Sequence, residues 1–265
     1  MKMYEERKAF ILGKLSQHGS VSSKDIARQL AVSVVTTRAD FRQLEEEGLL
    51  KRVHGGAARI QPQRYDPKFQ EEIAIDVDAK QAMGETAANL VKKNDIVFVD
   101  SGSTTLFFVE KLVQTPPTNL TIVTHSLYII NCITLKPEIN LVVLGGVFHY
   151  SLMNFLDFDI AQQLQRYNIH KVFLGVDGVD ENGYYASNIQ EANFKRSLCQ
   201  TASKIFIMAN PSKIGKQSLI RIREWSTQDT LITVLPDFKQ HEYWISVATS
   251  KGFKLIDTYL SETHH

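Results

Sequence analysis

Apolar residues near the start of the chain recur at helical spacing. From Tyr4 to about Gln17, Phe10, Ile11 and Leu15 fall on one stripe, which predicts a first amphipathic helix. A break follows at His18-Gly19-Ser20, and Ser22 or Ser23 can cap a second helix, SSKDIARQL, with Ile26, Ala27 and Leu30 turned inward. The connection Ala31-Val32-Ser33 is very short, and Ser33 can cap a third helix that Gly48 ends. Two helices joined so tightly behind a supporting helix predict a helix-turn-helix. Further on the pattern changes. Short apolar runs (DIVFVD, LTIVTH, INLVVLGG, KVFLGVDG, KIFIMA, DTLITVL) alternate with helical stretches such as SGSTTLFFVEKL, SLYIINCI and NIQEANFKRSLCQTA. That alternation predicts an α/β domain with a mostly parallel sheet. RIQPQRYDP, with two prolines, reads as the link between the two parts, and Phe69 to Lys92 as one long helical stretch. The expected division is 1–58 for the helix-turn-helix, 59–76 for the linker and start of a connecting helix, and 77–260 for the α/β domain.

At 100° per residue the third helix separates into two faces. Thr37, Phe41 and Leu44 share the inward side; Val35, Ala39 and Arg42 lie opposite, with Thr36 and Arg38 on the flanks. A small, basic, hydroxyl-bearing outer face behind Ser33 suits a helix that enters a DNA major groove. LLKRVHGGAA then reads as a wing, a short strand and a Gly-Gly turn offering Lys51, Arg52 and His54 to phosphates. Periodicity alone leaves a second reading open, a three-helix adaptor that never touches DNA.

Composition narrows the class. Hydrophobic residues make up 43% and charged residues 22% of the 265, which excludes a mainly disordered chain. The net charge of +1 excludes a polybasic nucleic-acid coat, yet it is unevenly spread. Residues 1–60 carry 11 Lys/Arg against 7 Asp/Glu, while the remainder is mildly acidic, as suits a DNA-binding head on a separate module. Two cysteines, Cys132 and Cys199, make neither a disulfide framework nor a four-cysteine zinc site. MKMYEERKAF lacks the apolar core of a signal peptide, and the most apolar stretch, about Leu120 to Leu135, is too short and polar to span a membrane. A cytoplasmic protein without metal or cofactor is expected.

In a parallel sheet the ligand belongs beyond the carboxyl ends of the strands, and the polar loops of this chain fall there. Asp100 and the run Ser101, Gly102, Ser103, Thr104, Thr105 follow VFV and open a helix. A glycine, hydroxyls and a helix N-terminus make a phosphate cradle in miniature; read alone, the run is equally a plain strand-to-helix turn. It is neither a Walker A loop nor a GxGxxG fingerprint. Thr124, His125 and Ser126 end the next strand, Gly145 and Gly146 the one after, and Asp177 and Gly178 follow KVFLGV. Glu191 and Lys195 lie one helical turn apart, and Lys213 follows KIFIMAN. Hydroxyls, glycines, carboxylates and lysines at one sheet edge suit a phosphorylated sugar or polyol. Two alternatives stay open. His125 is either a ligand contact or a satisfied buried imidazole, and Lys195 either a ligand contact or a solvated helix charge.

The series VSVVTTRADFRQLEEEGLLKRVHGGA resembles the N-terminal signature of the DeoR family of bacterial transcription regulators. VDSGSTTL, TIVTHSL, VVLGG, VFLGVDGVDENG and NPSKIGK are similar to landmarks of that family's sensor domain, so the resemblance spans nearly the whole chain. Within the family, RADFRQLEEEGLL with SGSTTL looks most like galactitol-type and related repressors. The resemblance implies an N-terminal winged helix-turn-helix, a C-terminal α/β sensor domain similar to ribose-5-phosphate isomerase, and a phosphorylated sugar as effector. There are departures. Arg38-Ala39 stands where typical members carry two adjacent arginines, His125 where Asn is common, and Val234 where Asp is common. Phe158 replaces a Gly and Tyr184-Tyr185 a Thr-Thr pair, so these aromatics are expected to reshape the pocket.

These readings combine into one expectation. The chain is a DNA-binding regulator, a repressor of a carbohydrate-utilisation operon, whose paired heads in a homodimer or tetramer meet two half-sites of double-stranded operator DNA. An effector in the body shifts operator affinity through its different affinity for two states. The alternative is a sugar-phosphate isomerase-like enzyme tethered to DNA, because DGVDE looks like the isomerase segment DGADE. Against it, the isomerase run KGGGGA is missing, and Phe194-Lys195 falls where its Glu-Lys pair belongs, although Glu191 is near. No catalytic residue is assigned.

Overall fold

The computed structural model describes residues 4–47, 49–59, 67–150, 152–157 and 160–258. The chain divides into two units, Met1–Arg64 and Tyr65–His265. The first contains α1 (Tyr4–His18), β1 (Ser20–Ser22), α2 (Ser23–Leu30), α3 (Val34–Glu46), β2 (Leu50–Val53) and β3 (Gly56–Arg59). Ser22 caps α2, accepting from the Lys24 N–H at 3.2 Å, while the Ser23 hydroxyl donates to the Gly55 carbonyl. Ala31 turns the chain in the left-handed conformation, φ 54, and Ser33 caps α3 by accepting from Thr36 N at 2.9 Å. Gly48, expected to end α3, lies outside the described residues.

Ile11, Leu15, Ile26, Leu30, Phe41 and Leu44 fill the core of this unit, each such side chain contributing about 1.5–3 kcal/mol when fully buried. β2 and β3 form the expected wing, and β1 adds a third, antiparallel strand beside β3. A Cβ on Gly56 would lie 2.0 Å from the Val21 carbonyl oxygen, so only glycine lets β1 approach. Beneath the outer face of α3, Arg7 forks onto the buried Asp40 at 2.7 and 2.8 Å and pins α1 to α3.

The second unit opens with α4 (Pro67–Ala74) and α5 (Val77–Asn89). The expected single stretch from Phe69 to Lys92 is broken at Asp76. That residue adopts φ 53 while its carboxylate accepts from Asn210 Nδ2 at 2.6 Å and Ser212 N at 3.0 Å. A tertiary clamp thus overrides helical periodicity. Next come β4 (Ile96–Val99), α6 (Ser103–Leu112), β5 (Leu120–Thr124), α7 (Leu127–Ile133) and β6 (Ile139–Val143). A hairpin of β7 (Val147–His149) and β8 (Asn154–Leu156) and the short α8 (Ile160–Leu164) lead to β9 (Lys171–Gly175). The chain continues through β10 (Gly178–Asp180), β11 (Gly183–Ala186), α9 (Ile189–Thr201), β12 (Lys204–Met208) and β13 (Ile220–Arg223). It closes with β14 (Asp229–Thr233), α10 (Phe238–Lys251) and β15 (Lys254–Asp257).

Seven strands pair in parallel in the order β15-β14-β12-β9-β4-β5-β6. Both faces of the sheet are covered by apolar side chains, Phe98, Val172 and Leu174 on one and Val97, Val99 and Phe173 on the other. This double burial is why the strands read as unbroken apolar runs. From β4 the chain winds toward β6, and from β9 it winds toward β15. The two strands therefore flank the point where the winding direction reverses, and a crevice opens at their carboxyl ends.

Candidate functional site

β4 runs into Asp100-Ser101-Gly102, and β9 ends in Gly175 with Val176-Asp177 following. The cleft between them gathers Ser101, Gly102, Ser103, Thr104, Asp177, Glu191, Lys195 and Lys213 from the expected set. It is completed by residues that sequence reasoning missed: Phe69 and Glu72 of α4, Leu152, Gly175, Val176, Ser187 and Asn210. Gly102 is the N-cap of α6, at φ 156 and without a side-chain cap. The first-turn N–H groups and the positive end of the helix dipole therefore face the cleft without a protein acceptor from the cap. A Cβ on Gly102 would meet nothing nearer than 3.6 Å, so backbone angle rather than crowding asks for glycine here.

Beneath this loop lies a charged floor. Asp100 is wholly buried; it accepts from Gly175 N at 3.1 Å, pairs with Lys195 Nζ at 3.1 Å and meets His125 Nε2 at 3.2 Å. Burial by itself would raise its proton affinity, but the Lys195 ammonium and then His125 hold the carboxyl below the ordinary range. Burial likewise opposes the charge on Lys195, yet Asp100, Glu191 and Asp177 together keep its ammonium above the usual lysine value. Lys195 is thus neither solvated nor idle: it also donates to the Gly175 carbonyl at 2.9 Å and locks the end of β9. His125 is a satisfied buried imidazole, its Nδ1 3.1 Å from the Phe155 carbonyl oxygen and its ring against Phe194 at 4.5 Å.

The rim carries the titrating groups. Asp177 accepts from Ser187 N at 2.7 Å; burial pushes its pKa up, but Lys195 and that N–H outweigh it and keep the carboxylate below its usual range. Glu191 behaves oppositely. Burial raises its carboxyl above the normal value, Lys195 opposes this, and Asp100 and Asp177 add to it. Lys213 Nζ stands 3.9 Å from both Glu72 and Asp177.

Several expected residues lie elsewhere. Thr105 turns inward and donates to the Asp100 carbonyl at 2.8 Å, and Thr124 donates to the Val99 carbonyl at 2.7 Å. Ser126 is the N-cap of α7. Gly145 and Gly146 are exposed before β7. Gly178 sits in β10, where a Cβ would lie 2.3 Å from the Lys216 carbonyl oxygen, so strand packing accounts for it. The two tyrosines do not shape the cleft. The Tyr184 hydroxyl accepts from Arg223 Nε at 2.7 Å and that of Tyr185 donates to Asp180 at 3.0 Å, both in the small sheet β10-β11-β13. Phe158 lies outside the described residues. Asn154 of β8, which no motif flagged, is buried and donates through Nδ2 to Ser101 Oγ at 3.1 Å.

In the first unit Val35 is 76% exposed, and Arg38, Ala39 and Arg42 are exposed with it along one face of α3. Ser33 is exposed at the start of the helix, and its hydroxyl bonds that of the half-buried Thr36 at 2.8 Å. Lys51 and His54 are exposed on the wing. Arg52 is exposed as well but already engaged, its Nε 2.6 Å from Glu45 Oε2 and its backbone N–H bonded to the same carboxylate.

Among the described residues no helix is long and apolar enough to cross a membrane, and no cluster of His, Cys, Asp and Glu is arranged to hold a metal ion. Two family models match the chain: a DeoR-like helix-turn-helix domain over residues 7–63 and the DeoR C-terminal sensor domain over 75–234. The HTH-type transcriptional regulator IolR of Bacillus subtilis is 30% identical, over 88% of this chain and 90% of its own length. A putative aga operon transcriptional repressor of Escherichia coli O157:H7 is 30% identical over 86% of this chain and 85% of its own. Among solved structures, ribose 5-phosphate isomerase A of Neisseria gonorrhoeae aligns with a TM-score of 0.38 and 19% identity, covering 51% of this chain and 52% of that one. With the DeoR-like helix-turn-helix model matched ahead of the DeoR sensor-domain model, and a 30% identical relative aligned over most of both chains, the chain belongs to the DeoR family of DNA-binding transcription regulators.

Proposed function

We propose that this regulator represses a carbohydrate-utilisation operon and that a phosphorylated sugar or polyol in the cleft between β4 and β9 changes its affinity for operator DNA. One observation carries the reading: the uncapped N-terminus of α6 opens into the same cleft as Lys213, Asp177 and Glu191. The phosphate is received by N–H groups and hydroxyls of Ser101, Gly102, Ser103 and Thr104, with Lys213 as counter-charge. Asp177 and Glu191 accept from sugar hydroxyls. Asp100, Lys195 and His125 hold the floor rather than the ligand. The division of labour follows the chain, with 1–58 reading DNA and 77–260 holding the effector; of the joining stretch 59–76, α4 also supplies Phe69 and Glu72 to the cleft wall.

On DNA, α3 enters the major groove with Ser33, Val35, Thr36, Arg38, Ala39 and Arg42, while Lys51 and His54 of the wing meet phosphates. Arg52 joins them only by exchanging Glu45 for a phosphate. Paired heads of a homodimer or tetramer read half-sites about 34–36 Å apart. The reading is tested by selecting bound duplexes from a random pool and titrating the selected complex with a sugar-phosphate panel. A half-site pair whose affinity falls with one phosphorylated sugar supports it. Duplexes without a repeated half-site, or affinity indifferent to every ligand that binds the body, oppose it.

Glu191 favours a second reading, an isomerase-like activity. Its raised carboxyl lies in the cleft although Phe194 occupies the position expected for a base. Prolonged incubation with ligands that bind, followed by NMR of the sugar, separates the two: a regulator returns the ligand unchanged.

A further inference from the structure

The wall of the cleft formed by α4 has a consequence for how a bound ligand reaches the linker. We infer that Glu72 and Lys213 form a charge latch: an anion seated at the N-terminus of α6 draws Lys213 away from Glu72 and loosens α4 from the cleft. The inference rests on the phosphate reading above.

Three features support it. First, α4 begins at Pro67, directly after the linker, and places Phe69 and Glu72 in the cleft. Any change in α4 therefore reaches the end of the linker through the covalent chain. Second, one ammonium serves two carboxylates. Lys213 Nζ lies 3.9 Å from Glu72 and 3.9 Å from Asp177, beyond direct hydrogen-bond reach of either, and is partly exposed. The other cleft ammonium, Lys195, is committed to Asp100 and the Gly175 carbonyl. Lys213 is thus the cation that an incoming anion recruits. A phosphate in this cleft also shares the space with Glu72, a like charge.

Third, α4 is a separate short helix. It is an eight-residue helix held by the stacking of Phe69 on Tyr128, with ring centroids 4.0 Å apart, and by the buried Lys80 ammonium on the Glu72 carbonyl. Asp76 separates it from α5 at a left-handed residue, and that residue is clamped to Asn210 and Ser212, beside Lys213. The hinge and the latch therefore share the segment 210–213. Phe69 and Ile73 keep the helix on the core cluster of the sheet, while its polar tethers, the latch among them, lie at its C-terminal half; loss of one tether registers there as faster amide exchange.

The test uses the full chain, inorganic phosphate as the probe and chloride at equal ionic strength as the reference. Phosphate should slow amide exchange at 103–106 and speed it at 71–74. In Glu72→Gln, 71–74 should exchange fast before phosphate is added and change no further, and phosphate should bind roughly two- to fivefold tighter, the scale of one partly exposed charge pair. Lys213→Ala should also release 71–74 but bind phosphate more weakly. Opposite affinity changes with the same release are the signature of the latch. Slowing at 103–106 with 71–74 unchanged or slowed overturns the latch and leaves the phosphate reading standing. Absence of slowing at 103–106 overturns both.

Discussion

The reading face of α3 and the cleft of the α/β unit treat charge in opposite ways. On α3 the groups proposed to meet DNA, Arg38 and Arg42, are exposed, while the buried pair Arg7–Asp40 holds the helix to α1. In the cleft the groups proposed to hold the effector and the supporting groups are electrostatically coupled. Lys195 pairs with Asp100 at 3.1 Å; Lys195 lowers the proton affinity of both Glu191 and Asp177, and Asp100 raises that of Glu191. On the proposed reading, function and stability are therefore separable in the first unit and entangled in the second.

The largest effect that sharpens this contrast is expected from Asp100→Leu. It leaves Lys195 buried without its carboxylate and should destabilise the α/β unit by about 3–5 kcal/mol in denaturant unfolding. A loss below about 1 kcal/mol would show that the floor is not under charge control. Next, Arg7→Ala should destabilise the first unit by about 1–3 kcal/mol, because Asp40 stays largely buried without its fork, and leave ligand binding in the cleft intact. By contrast, Arg42→Ala should cost on the order of 1–3 kcal/mol of operator affinity and blur preference at particular base pairs with no change in unfolding. Lys51→Ala should weaken all sequences alike and lower the salt slope by about one. If either variant unfolds early, the separability claimed for α3 fails.

The smallest effect concerns pH. Glu191 has a raised carboxyl, so its contribution to stability is complete below the usual glutamate pKa of about 4.3 and is lost as pH rises through the higher folded value. Asp100 is depressed, so its contribution is present above about 3.9 and is lost as pH falls through its lower folded value. Glu191→Gln should therefore raise Tm at pH 7–8, with the gain shrinking toward pH 5. A gain independent of pH would assign the effect to packing instead.

What was legible in the sequence follows the same division. The faces of α3 were readable because a single helix sorts its residues by angle alone, and Thr37, Phe41 and Leu44 are buried as that sorting predicts. Six strands were readable because a parallel sheet buries both faces; the seventh, KLID, begins with Lys254 and ends with Asp257 and carries too little apolar signal. The place of Ser101–Thr104 in the cleft was readable from composition and position after a strand. The roles of His125 and Lys195 were not, since each is decided by Asp100, 25 and 95 positions away. Glu72 and Phe69 were hidden because a helix facing a cleft looks like any amphipathic helix. Asn154 was hidden because one side-chain bond to Ser101 leaves no pattern along the chain. Tyr184 and Tyr185 looked like pocket residues until the β10–β11 hairpin placed them against Arg223 and Asp180.

The central claim is that the cleft between β4 and β9 takes a phosphorylated sugar through the N-terminus of α6 and Lys213. Thermal unfolding of the full chain against matched pairs of phosphorylated and unphosphorylated sugars and polyols tests it most directly. At 100 times Kd a phosphorylated ligand should stabilise by about 2.7 kcal/mol, a shift of roughly 5–10 °C for a unit of this size, and its unphosphorylated counterpart should not. Lys213→Ala and Gly102→Val should each remove that shift while the unliganded protein still unfolds cooperatively. A shift of equal size with the unphosphorylated sugar, or one that survives both substitutions, would contradict the account.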